Sequence, residues 1–179
     1  MRSSFTLAFG LAAGLLATSA QAADFFGPAY GSGPVDPIYS SALFNFEGLY
    51  LGGTAGVGSF SSTTLGTVGV VIGSNFAIND ALLAGGEVQA DLYFDGGGVQ
   101  GFGALALAKF GGYVSDTALL YGTAGGGWID SSAVYAFGGG AEFAATNQVS
   151  LRGEVLGIGS WGASPSGIKG TAGLLWHIQ

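Results

Sequence analysis

Between Ala81 and Phe94, polar side chains recur at Glu87, Gln89, Asp91 and Tyr93, while Leu82, Ala84, Val88, Ala90, Leu92 and Phe94 fill the positions between. A period of two is that of a β-strand, whose successive side chains point to opposite faces. This segment therefore has one apolar face and one that carries two carboxylates and an amide. The same alternation recurs later. Arg152 and Glu154 share a face opposite Val149, Leu151 and Val155, and Lys169, Thr171 and His177 oppose Ile168, Ala172, Leu174, Trp176 and Ile178. Glu142 opposes Tyr135, Phe137 and Phe143. Turn-forming residues at 59–63, 79–80, 95–98, 115–116, 130–132, 146–147 and 162–167 punctuate the chain, and seven turns separate eight strands. The spacing predicts strands over 46–58, 65–77, 81–94, 99–113, 117–129, 133–145, 148–161 and 168–178. The fourth and fifth have no clear phase, because Gly111 with Gly112, and Gly125 with its two glycine neighbours, are candidate bulges.

Composition decides what such strands face. The chain is 49% hydrophobic and 8% charged, with 36 glycines in 179 residues, whereas an ordinary soluble domain is about 25% charged. Too little polar surface exists to cover the molecule in water, so the apolar faces are expected to meet lipid. No segment after the N-terminus offers the ~20 uninterrupted apolar residues of a spanning helix. Strands that cross a bilayer must pair every backbone group with one another, which requires a closed ring. Each expected strand exceeds the ~9–11 residues needed to cross at a tilt. The expected fold is therefore all-β, an eight-stranded antiparallel transmembrane up-and-down β-barrel over residues 46–179, with both ends of the barrel on one side.

Residues 1–22 explain export. Arg2 gives a positive start, residues 5–17 a broken apolar run, and Ala20-Gln21-Ala22 a small-x-small cleavage site. Residues 23–45 hold Pro28, Pro34 and Pro37, three of four prolines, and read as a linker. Cleavage would remove one of four basic residues and leave Lys109, Arg152 and Lys169 against eleven acids, shifting the net charge from −7 to −8. Nucleic acid is excluded as a partner because three scattered cations make no basic patch. The chain has no cysteine, so thiolate metal sites and disulfides are excluded and stability rests on packing and hydrogen bonds.

The opening of the first strand, Phe46, Gly48, Tyr50, Gly52 and Gly56 at alternate positions, resembles the aromatic-x-Gly-x-Tyr-x-Gly start of the opacity-type outer-membrane proteins, the small eight-stranded surface-antigen family of alphaproteobacteria. Gly112 and Tyr113, followed by Leu119, Tyr121, Gly122, Thr123 and Gly125, are similar to that family's central hairpin. Thr171, Gly173, Trp176 and Ile178 resemble the C-terminal assembly signal of outer-membrane proteins. The resemblance implies residence in the outer membrane of a Gram-negative cell, with outer-membrane lipids and the barrel-assembly machinery as partners. Two departures stand out. The usual terminal phenylalanine is replaced by Ile178-Gln179, and basic residues before the central Gly-Tyr are reduced to Lys109. The turns are also short for a surface antigen.

The candidate lumen residues are Glu87, Gln89, Asp91, Lys109, Glu142, Arg152, Glu154 and Lys169. Eight strands enclose an interior just wide enough for side chains, and charges held away from water must pair. These residues are therefore expected to brace the lumen as an ion-pair network. Aromatic residues at 46, 50, 76, 94, 113, 121, 128, 135, 143, 161 and 176 fall near strand ends and read as interfacial girdles. Catalysis finds little support. His177 is the single histidine, and Glu87 and Asp91 on one strand lie ~13 Å apart, beyond glycosidase spacing. The glycine run at 122–127 lacks the Gly-Lys-Ser/Thr ending of a phosphate loop. No cofactor or metal is expected. The sequence thus points to a non-enzymatic barrel that contributes to envelope integrity. The alternative is a narrow, weakly cation-preferring channel, suggested by the excess of inward carboxylates and by glycines that leave lumen volume unfilled. A lipid-modifying barrel enzyme built on His177 is a third reading. Oligomeric state stays open.

Overall fold

The computed structural model describes residues 44–178 apart from Ser61. The export signal at 1–22 and almost all of the linker lie outside the described residues. Eight strands follow in chain order: β1 Gly48–Phe60, β2 Thr63–Asn79, β3 Leu82–Asp95, β4 Gly98–Ser115, β5 Ala118–Ile129, β6 Ser132–Ala144, β7 Val149–Ser160 and β8 Gly167–Ile178. Each pairs antiparallel with the next, and β8 returns to pair with β1, from Leu49 opposite Ile178 to Phe60 opposite Gly167. The sheet therefore closes into a barrel with no free edge, and every strand has a partner on both sides.

Strand ends fall within two residues of those read from the pattern. The turns are tight. At the end of the barrel remote from the start of β1, β1–β2, β3–β4 and β5–β6 are joined by two residues each and β7–β8 by six. In the β5–β6 hairpin Asp130 and Ser131 both have positive φ, 47° and 72°, as a two-residue turn matching the strand twist requires. The Asp130 carboxylate tolerates this because it accepts the Phe102 amide at 3.0 Å, while the Asp130 amide donates to the Phe102 carbonyl.

Alternation sorts side chains cleanly. Leu51, Val70, Ile72, Val88, Phe110, Leu120, Leu151, Leu174 and Trp176 stand exposed on the outside, making an apolar belt far larger than a water-soluble monomer presents. The fourth and fifth strands, unphased in the sequence, are settled here. Leu105, Leu107 and Lys109 of β4, and Leu119, Tyr121 and Thr123 of β5, point inward. The glycines suspected of hiding bulges do not, since pairing runs unbroken through Gly111, Gly112 and residues 125–127. Irregularities lie instead at Ala77/Asn79, Tyr93/Phe94 and Tyr113/Ser115, all near strand ends, where a slip reverses few side chains.

A second correction concerns the aromatics. Phe46, Tyr50 and Tyr121 are buried inside the barrel and Tyr113 packs beside them, so these four do not belong to a girdle. Phe76, Phe94, Trp128, Phe143, Trp161 and Trp176 do face outward. Phe44, at the end of the segment read as linker, also turns into the barrel and meets Phe46 edge-on at 4.6 Å. With Leu83 and Leu119 they form an apolar layer at the terminus end. Phe60, Ile129, Val134 and Ile158 close the opposite end.

The belt makes a depth-dependent expectation. Val70 sits midway along β2, whereas Val114 lies in the strand-end bulge of β4. Val70→Lys should destabilise the barrel in lipid vesicles by ~2–4 kcal/mol and Val114→Lys by ~0–1 kcal/mol. Urea unfolding of vesicle-inserted protein measures both.

Candidate functional site

The interior between the two apolar layers is ionic. On β3, Glu87, Gln89 and Asp91 occupy alternate positions and all point inward. Across the lumen β7 supplies Arg152 and Glu154, and β8 supplies Lys169. The Arg152 guanidinium grips Glu87 with both ends, Nη1 to Oε2 at 2.8 Å and Nη2 to Oε1 at 2.6 Å, and Nη2 also reaches Glu154. A forked grip of this kind is among the stronger charge-assisted arrangements. Lys169 Nζ donates to Asp91 at 2.7 Å and to the Gln89 carbonyl at 2.9 Å. Gln89 joins the two groups, since its amide nitrogen donates to Glu87 at 2.8 Å and to Glu154 at 2.7 Å. Lys109 of β4 forms the third pair, with Glu142 of β6. All eight lumen candidates are thus buried and directed inward, and the side chains of the paired residues are 0–2% exposed.

Four carboxylates face three fixed cations, and neutral donors make up the difference. The Tyr50 hydroxyl donates to Glu87 at 2.6 Å and the Tyr121 hydroxyl to Glu154 at 3.1 Å. The Tyr121 ring also lies 4.2 Å from Lys109 Nζ, within cation–π range. These tyrosines were missed in the sequence because their positions near strand ends suggested interfaces. A signal did exist. Tyr50 pairs with Gly73 and Tyr121 with Gly140, and a Cβ on either glycine would lie 2.5 Å from the tyrosine hydroxyl. Inward glycines therefore make room for rings. At these two positions the volume that glycine leaves is occupied by a ring.

His177 has a partner that sequence distance concealed, because its Nε2 is 3.1 Å from Ser150 Oγ on the neighbouring strand. Glu142 lies 4.0 Å from the same nitrogen. This is not a nucleophilic triad, in which the acid holds Nδ1 while the hydroxyl uses Nε2. Here Nδ1 has no hydrogen-bond partner, and the ring is fully buried against Phe44, Phe46 and Tyr50. Ser150 is itself fully buried beneath that packing. Among the described residues, no group of three His, Cys, Asp or Glu side chains could hold a metal.

The residues of the C-terminal motif divide by face. Thr171 and Gly173 fall on the inward register, Gly173 closely opposed to the Gly53 carbonyl across the β8–β1 seam. Trp176 and Ile178 are half exposed on the outside.

Comparison with protein-family models gives no match, and comparison with curated protein sequences gives none. Solved structures do match. Ail, the attachment invasion locus protein of Yersinia pestis, is similar with a TM-score of 0.52 at 14% identity, covering 72% of this chain and 96% of that one. A de novo designed transmembrane β-barrel gives 0.49 at 19%, over 72% and 95% of the two chains. Neisserial surface protein A gives 0.43 at 13%, over 73% and 96%. At these identities the likeness is one of fold, and the chain is an eight-stranded antiparallel barrel of the transmembrane type.

The network makes an asymmetric expectation. Arg152→Met strands Glu87 and Glu154 in a dry interior and should cost about 3–5 kcal/mol. Adding Glu87→Gln and Glu154→Gln to that variant should restore most of the loss, because no unpaired charge remains. Chemical denaturation of the three proteins in the same lipid distinguishes this from simple loss of packing.

Proposed function

We propose that the protein is a non-enzymatic outer-membrane barrel that contributes to envelope integrity as a closed, rigid span. The observation that carries this reading is the arrangement of the lumen: an ionic layer in which each charged side chain has an ion-pair partner lies between apolar layers at both ends. An ion entering from either side would have to desolvate against Phe44, Phe46 and Leu119, or against Phe60, Ile129 and Ile158. It would then compete with existing ion pairs. That energetic barrier supports a sealed barrel over the narrow cation-preferring channel, even though carboxylates outnumber fixed cations. The two-residue hairpins on one end argue against carrying over attachment or invasion, since they project little chain from the barrel.

The outer membrane is the compartment that this fold, the apolar belt and the export signal jointly favour. Outward Trp176 and Ile178 on the last strand support recognition by the barrel-assembly machinery. His177 contributes to packing in this reading and performs no proton transfer.

Verified, heat-modifiable barrel should remain electrically silent in planar bilayers and fractionate with outer membranes. Loss of the protein should sensitise cells to detergent. Stepwise conductance reduced by Glu87→Gln or Asp91→Asn would instead establish the channel. Trp176→Asp should lower the yield of assembled barrel in cells several-fold, read as the heat-modifiable fraction on gels.

A further inference from the structure

Residues 44–47 close the terminus end of the barrel without belonging to its wall. Strand pairing begins at Gly48, opposite Asn75, and Gly48 has a φ of 91°, a left-handed conformation that glycine adopts without steric cost. At that bend the preceding chain turns back over the lumen. Phe46 is 0% and Phe44 8% exposed, while Asn45 and Glu47 remain outside. The hydrogen bond that ties this strap to the wall runs from the Asn75 amide to the Phe46 carbonyl at 2.9 Å, and that from the Glu47 amide to the Asn45 side chain is internal to the strap. Ring packing supplies the rest, with Phe44 on His177 at 4.9 Å, and Phe46 on His177 at 6.0 Å and on Tyr113 at 6.1 Å. At this end of the barrel the seated strap leaves polar atoms dry. Asn75 Oδ1, His177 Nδ1 and Glu142 Oε2 are buried with no hydrogen-bond partner, each at a cost that water would remove.

Of these groups His177 is the one whose charge ordinarily changes near neutral pH. The neutral ring satisfies Nε2 with Ser150 Oγ at 3.1 Å and leaves Nδ1 bare. The charged ring carries a proton on both nitrogens, and the one on Nδ1 has no acceptor while the strap is seated. The ionisable groups around it supply none. Glu142 of β6 lies 4.0 Å from Nε2, the other nitrogen, and already pairs with Lys109 of β4, whose own charge repels a second cation. Tyr50 of β1, its ring 5.5 Å from the imidazole, donates to Glu87 of β3, which Arg152 of β7 holds. Tyr121 of β5 donates to Glu154, Tyr113 of β4 packs on Phe46, and Glu47 is exposed. Water is the acceptor that remains, and of the three rings that pack on His177, Phe44 and Phe46 belong to no strand. We propose that residues 44–47 form an acid-released strap, in which protonation of His177 drives Phe44 and Phe46 out of the lumen by a pivot at Gly48. Release hydrates the imidazolium, Glu142 and Asn75. The Arg152–Glu87 layer stays closed, so the device stands apart from the envelope role.

The test uses the mature chain in lipid nanodiscs, with the single histidine and the strap amides followed by NMR from about pH 8 to about pH 5, the range over which histidine titrates. Cross-peaks between the His177 and Phe44 rings should be present at the upper end. They should disappear as the His177 signals report protonation, while the β3 amide signals stay in place. Because release takes up one proton, the ratio of released to seated strap should rise about tenfold per pH unit. His177→Gln keeps a donor for Ser150 but cannot charge, and should hold the Phe44 and Phe46 amide signals fixed across the range. A His177 that becomes charged with its Phe44 cross-peaks intact overturns the proposal, as does a strap that stays seated throughout. Release of equal extent in His177→Gln would assign the titration to a carboxylate such as Glu47 or Glu142 and overturns it too. Strap and β3 signals lost together would mean unfolding rather than release, and would count against it equally.

Discussion

A strand crossing hydrocarbon finds no water to satisfy its amides and carbonyls, so each must pair with a neighbouring strand, and the set of strands must close. Everything else in this protein follows from the pairing of β8 with β1. Closure at eight strands fixes a narrow interior. It also gives each strand one face toward lipid and one toward the lumen, which is why a two-residue period runs through the sequence.

The narrow interior then governs the chemistry. Carboxylates placed inside cannot remain hydrated, and each must be met by a cation or a neutral donor. Arg152 meets two, Lys169 one and Lys109 one, while Tyr50 and Tyr121 supply the further donors. The network spans strands that are far apart in the chain: Arg152 and Glu87 are 65 residues apart, and Lys169 and Asp91 are 78. Such ties stiffen the cross-section and penalise any shift in register, since a one-residue slip would turn a charge toward lipid. Rigidity and a sealed lumen are thus two results of one arrangement.

The same constraint leaves the strand ends freer. Bulges are tolerated there, at Tyr113/Ser115 and Tyr93/Phe94, and while some aromatic side chains face outward, Phe44, Phe46 and Phe60 cap the lumen. At the terminus end the chain itself supplies part of the cap, because the Asn75 amide donates to the Phe46 carbonyl at 2.9 Å and holds that residue inside. At the other end short hairpins leave a shallow mouth lined by Tyr93 and Ile158.

The strand count, the strand bounds and the inward faces of β3, β6, β7 and β8 were legible in the sequence, because alternation is local and a charged residue fixes its phase. Seven of the eight polar lumen residues could be named for the same reason, and Lys109, on unphased β4, by its charge alone. Their partners could not. Which cation meets Glu87, and that Gln89 bridges two ion pairs, depends on the register and tilt of strands on opposite walls, which no local pattern encodes. Glycine-rich β4 and β5 carried too few polar side chains to set their phase, and only pairing with neighbours did so. Tyr50, Tyr121 and Phe46 read as interfacial because aromatic chemistry suits both a headgroup layer and a packed lumen. The tertiary structure decided between them by placing Gly73 and Gly140 opposite the two tyrosines, where the absence of a side chain leaves space for a ring.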